Sequence, residues 1–139
     1  MTPPSFVQRN PYKGTEPRCW VRLRFTADNG SVHERELLAD TGSPCAVILG
    51  QADLALLSRK TAADIQTNFG PLTGGWLELT MPELGLTTRI LSFGSDNVLQ
   101  AVARNSPDFA GLAGLPLLRM VDYGGDSTAF WLRKPGSGP

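Results

Sequence analysis

The stretch CWVRLRFTADNGSVHERELLAD, residues 19–40, alternates apolar and polar side chains on both sides of Asp28-Asn29-Gly30. A period of two sends successive side chains to opposite faces of a strand, and Asn-Gly between two such runs marks a tight hairpin. The register can be chosen by charge. A two-residue Asn29-Gly30 turn would set Arg24 opposite Arg35 and Phe25 opposite Glu34. A three-residue loop over 28–30 sets Arg24 opposite Glu34 and Arg22 opposite Glu36, two cross-strand pairs worth roughly 0.2–1 kcal/mol each. The second register is favoured, with Gly30 in the left-handed position that ends such a loop. Val21, Leu23, Phe25 and Leu37 then share the other face and belong to the core.

Composition extends this local reading to the whole chain. Fifteen Gly and 11 Pro against 41% hydrophobic residues imply short strands joined by many turns, so the expected class is all-β. A length of 139 residues fits one domain. The Pro- and Gly-rich ends read as an N-terminal arm over 1–17 and a tail over 135–139, flanking a domain over 18–134. Lys plus Arg and Asp plus Glu number 13 each, and without a basic run this disfavours nucleic acid or an anionic membrane as partner. No apolar run approaches the roughly 20 residues of a membrane span and no export signal precedes the domain, so the expectation is a cytoplasmic protein. Cys19 and Cys45 could pair in an oxidising compartment, but free thiols are expected.

Further elements follow from pattern. Residues 46–49 read as a strand, and 51–63 carry Leu54, Leu57 and Thr61 at helical spacing. Gly70, Pro71, Gly74 and Gly75 suggest a hairpin tip, either a lid or a plain turn, before a strand that starts at Trp76. A turn over 82–85, strands over 86–93 and 98–103, a helical turn over 115–120 and a last hairpin around Gly124-Gly125-Asp126 complete the chain. No internal repeat is visible.

Within this framework Asp40 is anomalous. It sits in LLADTGSPCAVILG, otherwise apolar, small or turn-forming, and a carboxylate withdrawn from water is costly. Either it caps a turn, as Asp commonly does, or its position is chemical. Leu38-Ala39-Asp40-Thr41-Gly42-Ser43 resembles the active-site signature of aspartic proteases, with a hairpin before it, a Gly-rich flap candidate after it, and Leu112-Ala113-Gly114 followed by Leu-Pro-Leu-Leu-Arg near the end. Over roughly residues 19–133 the chain is similar to the retropepsin-like group, whose members carry one such motif per chain. The resemblance implies a closed acid-protease-like β-barrel with one or two short helices, one lobe per chain. It implies an aspartic endopeptidase acting on peptide or protein substrates without a cofactor. Asp40, Thr41 and Gly42 would be catalytic: Asp40 as the carboxylate, Thr41 bonding across a two-fold axis, Gly42 allowing close backbone approach. Ser43 would donate to the outer oxygen of Asp40, and Gly74, Gly75 and Trp76 would belong to a flap closing over substrate.

Carboxylate-driven peptide hydrolysis needs an acid and a base, yet no other Asp is followed by Thr-Gly or Ser-Gly. An active enzyme must therefore be a homodimer with an isologous interface. Phe130-Trp131-Leu132 is the better candidate for an interface strand, ahead of Ser5-Phe6-Val7. The sequence departs from the family at Pro44, at the small Ala113, and in lacking the Arg that follows the second Gly in viral relatives. The alternative reading is a non-catalytic dimeric or peptide-binding module with the same fold; a monomer would form no dyad. A Cys45–His33 enzyme has its partners on separate segments. A single His without paired cysteines supports no metal site, and Gly111 and Gly114 lack the Lys-Ser or Lys-Thr of a phosphate loop.

Overall fold

The computed structural model describes residues 6–103 and 109–136. In chain order the elements are β1 (Val7–Pro11), β2 (Trp20–Thr26), β3 (Val32–Asp40), β4 (Val47–Leu49), α1 (Gln51–Leu57), β5 (Lys60–Thr67), β6 (Gly70–Met81), β7 (Leu86–Gly94), α2 (Asp96–Ala103), β8 (Gly111–Gly114), α3 (Leu115–Leu118), β9 (Asp122–Gly125) and β10 (Ala129–Arg133). The larger sheet runs β2-β3-β8-β4-β7-β6-β5, and β2 also pairs with β6, which closes six of its strands into a barrel. β5 lies outside that closure as the second arm of a hairpin with β6. The fold is all-β: one lobe, one closed barrel and a few short helices.

The first hairpin has the register chosen by charge. Arg24 faces Glu34 and Arg22 faces Glu36, Ala27 donates to the Ser31 carbonyl across the loop at 2.8 Å, and Gly30 takes φ +86°. Of the two expected ion pairs, Arg24–Glu34 stands at 4.0 Å, but Arg22–Glu36 is replaced. Lys13, whose ammonium sits 4.0 Å from the Trp20 ring centroid, takes Glu36, while Arg22 turns to Glu34 at 3.8 Å and Glu83 at 3.6 Å.

Val21, Leu23, Phe25 and Leu37 are fully buried in the main core with Val47, Leu49, Leu77, Leu79 and Ala113. A second, smaller cluster contains Ile48, Leu72, Phe93, Val98 and Leu112, with Leu38, Cys45 and Ile65 against it. The alternation of β3, β4 and β8 generates both. Leu37, Val47, Leu49 and Ala113 point into the barrel, whereas Leu38, Ile48 and Leu112 point to the opposite face. That is why alternation gives way to Leu-Leu-Ala before Asp40: both faces of this part of the sheet are covered.

Four expectations are corrected. Helix α1 stops at Leu57 rather than continuing to Ala63, because Ser58 is extended and the Arg59 amide donates to the Trp76 carbonyl at 2.9 Å, which starts the β5–β6 ladder. Thr61 is a strand residue; long-range pairing overrides its helical spacing. Residues 98–103 belong to α2 instead of a strand, since Ser95 Oγ accepts the Val98 amide at 3.1 Å as a helix N-cap. The hairpin tip is Asn68-Phe69, with Gly70 at φ +91°, so Gly74 and Gly75 lie inside β6. Finally, residues 7–11 of the expected arm form β1, which pairs with β10 on one side while β9 pairs on the other. Phe130-Trp131-Leu132 is thus the centre of a three-stranded sheet and has no edge to offer a partner.

Candidate active site

β8 lies between β3 and β4, parallel to the first and antiparallel to the second. This sets Asp40 beside Gly114, at the point where both strands leave the sheet. A Cβ on Gly114 would stand 1.9 Å from the Cys45 carbonyl oxygen and 2.8 Å from that of Ser43, so only glycine fits. The Gly114 amide donates to the Ala46 carbonyl at 2.8 Å, and the Leu115 amide to the Ser43 carbonyl at 3.1 Å. The loop after Asp40 is therefore tied to the segment that opens α3, distant in sequence.

Asp40 shares the parity of Leu38 and so falls on the face of the second cluster, away from the barrel interior. Its Oδ1 accepts the Gly42 amide at 2.9 Å, and its carbonyl accepts the Ser43 amide at 3.1 Å. The turn-capping role of Asp is thus present, but it occupies only one carboxylate oxygen. A Cβ on Gly42 would lie 3.2 Å from that oxygen, which makes the approach close. Among the described residues no Lys, Arg or His forms an ion pair with Asp40. Thr41 is exposed beside it.

Ser43 is buried, and its hydroxyl donates to the Cys45 carbonyl at 3.1 Å while accepting the Cys45 amide at 3.3 Å. It does not reach Asp40 as expected. Pro44 explains the geometry: it has no amide proton to contribute, and the Ser43 side chain spans it to hold the next residue.

Asp40, Gly42 and Ser43 open onto a cavity of about 310 Å³ whose walls are chiefly apolar: Pro44, Cys45, Ile48, Leu72, Val98 and Leu112. Thr67, Asn68 and Phe69, at the tip of the β5–β6 hairpin, close one side of it. Among the described residues that line it, Asp40 alone carries a charge. Phe69, Leu72 and Val98 were not singled out from sequence; the signals were the Thr-Asn-Phe-Gly turn and the Ser-Asp-Asn start of α2, both overshadowed by the glycines at 74–75.

Those glycines and Trp76 lie elsewhere. Gly74 and Gly75 pair with Ala62 and Thr61 at the base of the hairpin. Gly74 sits at a β-bulge, where its amide donates to Asp64 Oδ1 at 3.0 Å and a Cβ would meet the Ala63 carbonyl at 2.3 Å. Trp76, partly exposed, borders a separate cavity of about 490 Å³ with Asp28, Arg59, Lys60, Glu78 and Arg89.

Both cysteines are free, and burial pushes each thiol pKa up, which disfavours a thiolate nucleophile. His33 bonds the Ser31 hydroxyl at 2.9 Å, beside the first hairpin loop. Among the described residues no three His, Cys, Asp or Glu side chains gather as a metal site, and no helix is long and apolar enough to cross a membrane.

No family model matches the chain, and a search of curated proteins finds no match. A solved structure, EIAV protease complexed with the inhibitor HBY-793, is similar to this chain at 15% identity and a TM-score of 0.46, covering 77% of this chain and 90% of that one.

Proposed function

We propose that the chain is one half of a retropepsin-like aspartic endopeptidase, completed by a second copy that brings its own Asp40 across a two-fold axis. The observation that carries this reading is the placement of Asp40: among the described residues, the one charged group lining an apolar cavity, at a strand end beside Gly114, with one carboxylate oxygen steered by the Gly42 amide. A structural capping Asp needs no such cavity.

In the proposed reaction a water lies between the two Asp40 carboxyls, one ionised and one protonated. The ionised group takes a proton as the water oxygen bonds to the peptide carbonyl carbon, and the other donates its proton to the carbonyl oxygen. The first carboxyl then returns its proton to the amide nitrogen while the second takes one from a hydroxyl of the tetrahedral carbon, so the C–N bond breaks, acid and amine leave, and the pair regains its starting state. Two carboxylates at this range share a proton because both cannot ionise. The apolar walls would receive an apolar substrate side chain next to the scissile bond.

The second copy cannot pair with β10, whose edges are both taken; the edges of that sheet are β1 and β9. The test compares wild type and Asp40→Asn on a mixed peptide library between about pH 4 and 7, with sedimentation to assign oligomeric state. Cleavage by a dimeric wild type and none by the variant is expected. A dimer that cleaves nothing leaves a peptide-binding module, and a monomer at high concentration removes the mechanism.

A further inference from the structure

Trp76 has no place in the Asp40 cavity, and it is not a core residue either. It sits in β6 between the buried Gly75 and Leu77 and is 39% exposed. Strand alternation explains its direction: Leu77 and Leu79 point into the barrel, so Trp76 and Glu78 point outward. Across the ladders Trp76 is flanked by Lys60 of β5 and by Leu91 of β7, itself 38% exposed. Directly opposite residues share a face, so two large apolar side chains lie open on the outside of the barrel. Beside them is the cavity of about 490 Å³ that Trp76 borders, a volume within the range of ligand-binding clefts.

The charges around this cavity are unevenly matched. Its carboxylates are both engaged by one guanidinium: Arg59 Nη1 donates to Glu78 Oε2 at 2.8 Å, and Arg59 Nη2 stands 4.0 Å from Asp28 Oδ1. Arg89 is the cross-strand partner of Glu78, but Glu78 is turned to Arg59. Among the described residues neither Arg89 nor Lys60 forms an ion pair with a carboxylate. Two exposed cations, one on each strand beside β6, thus accompany an exposed indole. We propose that this face is a docking site for an acidic, apolar peptide segment, whose apolar side chains cover Trp76 and Leu91 while its carboxylates pair with Lys60 and Arg89. Covering the indole and the leucine removes apolar surface from water, and Trp with Arg is the pairing on which binding energy concentrates at protein interfaces. Separated cations match separated carboxylates, whereas a continuous row of phosphates would meet Asp28 and Glu78 on the same cavity. A small anion alone would leave Trp76 and Leu91 wet. None of the described residues lining this cavity also lines the Asp40 cavity, so the inference does not rest on the endopeptidase reading.

The test is fluorescence anisotropy at low salt with a labelled peptide in which Leu-Leu-Glu-Glu is repeated twice. It should bind at least about tenfold tighter than the same peptide with glutamine for glutamate, and weaken as salt is raised. Trp76→Thr, which keeps a good strand former at an outward position, should lower affinity by about tenfold or more. Lys60→Gln and Arg89→Gln should each lower it roughly two- to fivefold. Lys60→Glu combined with Arg89→Glu should transfer the preference to a peptide with lysine for glutamate, an exchange that a merely destabilised protein does not produce. Asp40→Asn should bind as wild type does, which keeps failure of this site apart from failure of the catalytic reading. Equal binding of the glutamate and glutamine peptides, or an affinity unmoved by Trp76→Thr, overturns the proposal. So does tighter binding of a single-stranded oligonucleotide of equal charge, or a dimer that Trp76→Thr dissolves, since the face would then belong to nucleic acid or to a second copy.

Discussion

Asp40 and Gly114 stand side by side on the parallel strands β3 and β8, more than seventy positions apart in sequence. The space that a side chain on Gly114 would need is filled by the carbonyls of Ser43 and Cys45. The loop that presents the carboxylate therefore folds against the backbone of a distant strand. Its geometry depends on a residue that takes no part in any chemistry.

Gly114→Ala should accordingly destabilise the protein by about 3 kcal/mol or more, since a backbone contact of 1.9 Å cannot be relieved by side-chain motion. Gly30→Ala is the control. It meets no atom within 4 Å but sits at φ +86°, so only strain of about 1–2 kcal/mol is expected. Urea midpoints of the two variants decide the matter; equal losses would contradict the packing argument.

Asp40→Asn should abolish cleavage, by at least about a thousandfold, while leaving the fold intact. The amide oxygen can still accept the Gly42 amide proton that Oδ1 accepts now. Wild-type activity should follow a bell-shaped pH profile, because the pair works only when one carboxyl is ionised and the other is not. Turnover measured from about pH 3 to 8, beside thermal melts of the variant, checks both statements. A variant that still cleaves removes Asp40 from the mechanism.

The two faces of β3 predict unequal costs for adjacent leucines. Leu37 is fully buried in the barrel, so Leu37→Ala should cost about 2–5 kcal/mol. Leu38 is only partly buried on the cavity side, and Leu38→Ala should cost less while disturbing peptide binding more. Chemical denaturation and peptide affinity of each variant provide the comparison.

Asp126 ties the terminal strands together and should make their pairing acid-sensitive. Its carboxyl is held well below the usual carboxylate range, first by the Thr128 amide, then by the Thr128 hydroxyl, Arg9 and the Ala129 amide. A pKa lower when folded than when unfolded means that the ionised form favours folding. The contribution is fully present above the unfolded value of about 4 and is lost as pH falls below it. Asp126→Asn should flatten this part of the acid dependence, seen as a smaller drop in urea midpoint between about pH 6 and 3. Parallel curves for the two proteins would refute the assignment.

Much of the site was legible because its cues are local. The charges and Asn29-Gly30 set the hairpin register, which fixes which face of β3 is apolar and where that strand delivers Asp40. The cavity was not legible in the same way. The tip at Asn68-Phe69, the bulge at Gly74 and the cavity wall at Val98 exist only because β5 pairs with β6 and α2 folds back onto them. Helical spacing over 51–63 and the cluster of glycines at 70–75 both pointed to local structure that this pairing overrode. The placement of β10 between β1 and β9 was hidden for the same reason. Periodicity and turn chemistry are properties of neighbours along the chain, and the sequence carries them openly. Which strand lies beside which is decided by burial summed over the whole barrel, and only the tertiary structure expresses that sum.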